Sequence, residues 1–269
     1  MKLRLLLLPL LVMAPVAASA QLKPKASTPQ ISIDPAAKAL LDRATATYKG
    51  VQGLRFQTST QVNGKNTPQL NTISSFQRPD SFRLDDATGR LLAEANQTYF
   101  VTGTTYQRRE VFGSTPRSFT GDSASHGTSG SALQQIMWML DGLSPLDAAL
   151  KFAAHSNQRV MPPINPAQVR AQALGSRLVD SDVLQGVRLT LSFPIFTMIG
   201  EARRHSYETT LWFGGPQTLL RRVQTRSYEN GNIQTVTEKL FNQQLNPTLQ
   251  PEFFVFDLTG LKLEQPLVH

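Results

Sequence analysis

Very few residues in this sequence are placed to do covalent or acid–base chemistry. There is no cysteine among 269 residues, which excludes a thiolate nucleophile, thiolate metal sites and disulfide staples together. The four histidines, His126, His155, His205 and His269, stand far apart, and none has a partner at metal-ligand spacing. His126-Gly127-Thr128-Ser129-Gly130-Ser131 has part of a nucleophile elbow, but that motif needs Gly-x-Ser-x-Gly between a strand and a helix. Here the fifth position is Ser131, and the surroundings read as a loop. Asp85-Asp86 is the one adjacent carboxylate pair. Carboxylates that share acid–base work converge from separate elements, whereas this pair lies close to Gly89 and reads as a turn. The sequence is therefore not read as an enzyme, and no metal or other cofactor is expected.

Arginine is the remaining chemical resource. Arg108-Arg109, Arg203-Arg204 and Arg221-Arg222 lie in strand-like stretches, where neighbouring side chains point to opposite faces. Arg203-Arg204 and Arg221-Arg222 read as solvated positions at a sheet surface or rim, with an anionic lipid headgroup as the alternative partner. The formal charge is +8, yet no basic run is interleaved with stacking aromatics, so nucleic acid is not an expected partner.

The first twenty residues set the compartment. Lys2 and Arg4 precede an apolar run from Leu5 to Met13, and Ala18-Ser19-Ala20 supplies the small-x-small pattern of a cleavage site. The run is too short to span a bilayer, which takes about 20 apolar residues. Residues 1–20 are thus expected to be a signal peptide, removed to leave a periplasmic or secreted protein free of an N-terminal lipid. Residues 21–32, rich in Pro, Lys, Ser and Thr, are expected to be a flexible tail.

The elements that follow read as a single α+β domain over residues 33–269. Asp34-Pro35 predicts a helix start, and Ala37, Leu40, Leu41, Ala44 and Tyr48 form one apolar stripe up to Gly50. Short alternating runs from Leu54 to Phe112 predict an antiparallel meander. A Gly/Ser/Thr loop over 114–131 interrupts it. Ala132 to Leu140 then has the composition of a buried helix, and Ser144-Pro145-Leu146-Asp147 opens another. Pro166 to Ala173 reads as a further short helix. Strands resume from Leu174 to Phe241, with the hairpin dipeptide Asn230-Gly231 among the turns. Pro251 to Phe256 brings three phenylalanines back onto the sheet. This order predicts a strongly curved antiparallel sheet, an incomplete β-barrel, with helices from about 130–173 inserted over its concave face.

Four segments give the chain a resemblance to the bacterial LolA/LppX-like group of periplasmic lipoprotein-sorting factors and related proteins. They are Asp34-Pro35-Ala36-Ala37 to Tyr48 with Leu54-Arg55-Phe56; Phe76-Gln77-Arg78-Pro79-Asp80-Ser81-Phe82-Arg83; Leu219-Leu220-Arg221-Arg222-Val223 through Asn230-Gly231 to Val236; and Asn246-Pro247 leading to Pro251-Glu252-Phe253-Phe254-Val255-Phe256. The resemblance implies a sheet wrapped over a hydrophobic cavity, a helical lid, and carriage of lipid or lipoprotein acyl chains without catalysis. It also implies that Arg78 latches the lid through hydrogen bonds to lid-helix backbone. The loop 114–131 departs from that pattern by its length and polarity.

Candidate lining residues are Phe56, Phe82, Leu84, Phe100, Leu189, Leu191, Leu211 and Phe213 from strands, with Ile136, Met137, Trp138 and Leu140 from the lid. Alternation alone does not separate cavity lining from ordinary core. Two functions therefore stand side by side: a binder of lipid or acylated cargo, and an envelope interaction protein that uses its curved sheet to hold another protein or a membrane surface.

Overall fold

The computed structural model describes residues 28–78, 81–87, 89–94, 97–110, 131–158, 167–196, 202–229, 232–255 and 257–263. The segment read as a signal peptide, the stretch 114–130, Asn230-Gly231 and Phe256 lie outside these.

Helix α1 (Pro35–Lys49) starts where the Asp34-Pro35 pair predicts. One oxygen of Asp34 accepts from the Ala36 amide at 2.9 Å, and the other accepts from the Ala173 amide at 3.1 Å. These bonds hold its carboxyl below the ordinary value. The cap thus satisfies an orphan helix amide and also ties the helix to the sheet.

Among the described residues, fourteen strands form a single sheet. They are β1 (Gln30–Ile33), β2 (Gly53–Val62), β3 (Lys65–Asn66), β4 (Thr72–Gln77), β5 (Ser81–Asp86), β6 (Arg90–Glu94), β7 (Gln97–Thr102), β8 (Thr105–Glu110), β9 (Gln168–Val179), β10 (Asp182–Phe196), β11 (Ala202–Gly214), β12 (Leu219–Glu229), β13 (Asn232–Leu245) and β14 (Lys262–Leu263). The order runs β1-β9-β10-β11-β12-β13-β2-β4-β5-β6-β7-β8-β14, with β3 paired to β2 off this path. The first half of the meander and the second half are therefore joined by the β13–β2 pairing, which brings Leu240 beside Thr58 and Glu238 beside Thr60. The sheet is open, with β1 and β14 at its two ends.

Three expectations need correction. The sheet is mixed, because β1 pairs parallel to β9 and β14 parallel to β8; both arrive from chain ends rather than through hairpins. Strand β1 also begins inside the stretch read as a tail. Residues 168–173 are strand rather than helix. Ala167, Val169 and Ala171 are buried while Gln168, Arg170 and Gln172 are exposed, a strict period of two that outweighs the helix propensity of alanine.

Helices α2 (Ala132–Leu140) and α3 (Pro145–Gln158) fill the predicted insertion. Ser144 Oγ accepts from the Asp147 amide at 3.1 Å and donates to the Asp147 carboxylate at 2.7 Å, so Ser144 is the N-cap the sequence suggested. With α1 they cover the inner face of the sheet. The core joins Leu40, Leu41 and Tyr48 of α1 and Ile136 and Met139 of α2 to Leu54, Phe76, Val187, Leu220 and Val223 of the sheet.

Pro251–Phe254 forms a 3-10 turn against β5 and β6. Arg83 donates to the Phe253 carbonyl at 2.9 Å and lies over its ring, 4.5 Å from the centroid. Phe82 and Leu84 face the helices, so Arg83 faces the other way. The C-terminal phenylalanines thus return to the sheet on its outer face, where Phe254 and Leu92 are buried. Also on strand β10, Gly186 is required by Trp212, since a Cβ there would lie 2.6 Å from the indole ring. No helix among the described residues is long and apolar enough to cross a membrane.

Candidate functional site

Helix α2 is nine residues long and almost wholly apolar, with Ala132, Ile136, Met137, Met139 and Leu140 buried. A helix this short has little stability of its own. Its position depends on packing against α1, α3 and β12 and on what holds its two ends.

At the C-terminal end stands Arg78. Strand β4 ends at Gln77, paired with Gly53, so the next residue falls beside the segment that leaves α1. The Arg78 amide donates to the Gln52 carbonyl at 2.8 Å. Its guanidinium then reaches three carbonyls: Val51 at 2.9 Å, Lys49 at 3.3 Å and Leu140 at 2.6 Å. Lys49 and Leu140 are the last residues of α1 and α2. One cation therefore serves the electronegative ends of two helices and satisfies carbonyls that have no partner within either helix. The ring of Phe76 lies beneath the guanidinium, 5.8 Å from it.

At the N-terminal end, Ser131 Oγ accepts from the Gln134 amide at 3.2 Å, and Glu238 of β13 accepts from the Ala132 amide at 2.7 Å. Burial pushes the Glu238 carboxyl up to about 7, and the Ala132 bond opposes that shift only in part. No local pattern marks this residue, because nothing in Val236-Thr237-Glu238-Lys239 says that a helix will close over it.

Helix α1 is fastened differently. Tyr48 is fully buried; its hydroxyl donates to Gln243 Oε1 at 2.9 Å and accepts from the Leu220 amide at 3.1 Å. Burial raises the pKa of this phenol above its ordinary value. Thr47 Oγ1 adds a bond to the Gln217 carbonyl at 2.8 Å. Helix α1 is thus stitched to β12 and β13 along its last turn, while α2 is held at its tips.

Of the predicted lining residues, Phe56, Phe82, Ile136, Met137, Leu140, Leu189, Leu211 and Phe213 are buried together in one core beneath the helices. Leu84 and Leu191 are half-buried against it. Trp138 is half-buried on α2. The Phe100 backbone pairs with Leu91 and Gln107; its side chain lies outside the described residues. Two buried polar atoms interrupt the apolar interior, Gln135 Oε1 on α2 and Ser74 Oγ on β4, and neither has a hydrogen-bond partner among the described residues. An unsatisfied group of this kind costs about 1–3 kcal/mol.

The other chemical candidates stay apart. Asp85 is engaged by Arg83 at 2.8 Å and Arg90 at 3.1 Å, and Asp86 accepts from the Gly89 amide in the turn. Arg222 pairs with Asp180. The side chains of Arg203, Arg204, His155 and His205, like His126 and His269, lie outside the described residues. A cleft of about 460 Å³ lies beside α1, lined by Arg43, Val183, Gln185, Phe213, Pro216 and Thr218.

No protein-family model and no curated protein matches the sequence. Solved structures similar to the chain include the lipoprotein LppX of Mycobacterium tuberculosis, at 11% identity and a TM-score of 0.40, covering 81% of this chain and 98% of that one. LprF of Mycobacterium bovis is similar at 14% identity and a TM-score of 0.40, covering 82% and 98%. A LolA superfamily protein of Nitrosomonas europaea is similar at 7% identity and a TM-score of 0.39, covering 82% and 97%.

Proposed function

We propose that this chain binds the acyl chains of lipids or acylated proteins in the bacterial cell envelope, without catalysis, and that α2 is the lid over their binding site. The reading rests chiefly on how α2 is held: an apolar helix lies on the concave face and is fastened at its tips by two single side chains, Arg78 and Glu238. The orphaned Gln135 and Ser74 oxygens support it too, because they lower the stability of the closed form.

The energies are commensurate. Exposing the four large buried side chains of α2 would cost roughly 1.5–3 kcal/mol each if nothing replaced them. An acyl chain of about 16 carbons gains on the order of 10 kcal/mol when it leaves water, at about 0.8 kcal/mol per CH₂. Cargo that takes the place of α2 against Phe56, Phe82, Leu189 and Leu211 can therefore offset the opening. Binding of this kind needs no polar constellation.

The test is a chain-length series of fatty acids below their aggregation limits. Affinity should rise about fourfold per added methylene until the site is filled. Affinity independent of chain length would remove the acyl-chain reading. It would favour the interaction protein instead, for which the structure offers the cross-strand pair Leu178 and Val183, 74% and 71% exposed at the end of the β9–β10 hairpin.

A further inference from the structure

The lid reading leaves unexplained why a carboxylate is enclosed at the N-terminal end of α2. Glu238 stands on the inner face of β13. Its neighbours across the sheet are Val223 of β12 and Thr60 of β2, and α2 closes over it with the Ala132 amide. Glu238 is part-buried, and its carboxyl, which accepts the Ala132 amide at 2.7 Å, has lost enough water for its pKa to rise to about 7.

No compensating charge reaches it among the described residues. On its own strand, Lys239 points to the opposite face and engages Asp180, as does Arg222 from β12. Arg221 of β12 lies near Gly215 and acts on Tyr48. The described residues of α2 carry no titratable side chain. Burial and the Ala132 hydrogen bond are accordingly the two influences on Glu238.

We propose that Glu238 is a positioning residue for the lid, holding the N-terminal end of α2 and making closure depend on pH, tight in acid and looser above neutrality. The inference rests on α2 being the moving lid. Its direction follows from proton linkage. A carboxyl has an ordinary value near 4.5 when hydrated, as it would be with the lid open, and about 7 when enclosed. Between those values the closed form holds a proton that the open form has lost, so closure weakens as pH rises through that window. Protonated Glu238 still accepts the Ala132 N–H through its carbonyl oxygen. Above the window it must be enclosed as an anion, and opening the lid restores its water. Each pH unit of separation is about a factor of ten, so the closing equilibrium can change by up to roughly 300-fold across the window.

Hydrogen exchange of the mature chain at about pH 5 and about pH 8, corrected for the intrinsic pH dependence of exchange, reads this directly. Protection of the amides of residues 132–140 should fall at least tenfold between the two, while β11 stays constant. Glu238→Gln keeps an acceptor for Ala132 and has no charge to bury, so α2 should remain protected at both. PH-independent protection of α2 in the unaltered protein, which requires no variant to fold, would overturn the role of Glu238. So would an undiminished pH dependence in Glu238→Gln. If α2 exchanges only together with β11 at every pH, it is the lid reading itself that fails.

Discussion

Replacing Arg78 with leucine should free the C-terminal end of α2 while the sheet stays folded. The substitution removes charge-assisted bonds to the Leu140, Lys49 and Val51 carbonyls. Hydrogen bonds to a charged group contribute about 1.5–3 kcal/mol each in favourable settings, and this group is only partly buried, so the full sum is not expected. A loss of roughly 2–3 kcal/mol in lid closure is reasonable, equivalent to about a 30- to 150-fold fall in protection of residues 132–140. Lysine at position 78 should recover only part of it. Its ammonium is a point charge without the planar fork that lets one guanidinium serve two helix ends. Bound acyl probe should also leave faster from Arg78→Leu. Unchanged α2 protection with unchanged release would show that Arg78 merely completes the end of α1.

Tyr48→Phe should do the opposite: lower global stability and leave lid opening, relative to the rest, unaltered. It removes one hydroxyl, but that hydroxyl satisfies both the Leu220 amide and the Gln243 side chain in a fully buried place. Leaving both unpaired costs roughly 2–4 kcal/mol. For a chain of this size that is about 2–4 °C of melting temperature per kcal/mol. Calorimetry or urea unfolding measures the loss. A variant as stable as its parent would mean that water replaces the hydroxyl, and that α1 is less firmly stitched to the sheet than the geometry implies. The contrast between the two substitutions distinguishes a fixed helix from a moving one.

The sequence makes some of this architecture legible and hides the rest for physical reasons. The start of α1 is plain at Asp34-Pro35 because a cap is a local arrangement. The cap made by Ser144 with Asp147 is equally local. The start of strand β9 is hidden because Ala167, Ala171 and Ala173 suggest helix by composition, although their alternation with Gln168, Arg170 and Gln172 is the signature of a strand. The parallel pairing of β1 could not be read, since four residues of strand acquire meaning only from a partner 138 positions away. The inner-face residues Phe56, Phe82, Leu189 and Leu211 were found by alternation, yet alternation does not say whether helices or cargo cover them. Arg78 was singled out only through a motif resemblance, and its three carbonyl partners come from segments that no local pattern connects. Glu238 shows the limit most clearly. In sequence it is one more acidic residue on a strand, and its enclosed state exists only because α2 packs above it.

The most direct measurement is native mass spectrometry of the protein, purified from its native host without detergent and compared before and after unfolding. A bound species of lipid or acylated-peptide mass should appear, be released on unfolding and be reloaded by incubation with phospholipid. A clean mass of the chain alone, unchanged after incubation with phospholipids and with an acylated peptide, would contradict acyl-chain binding.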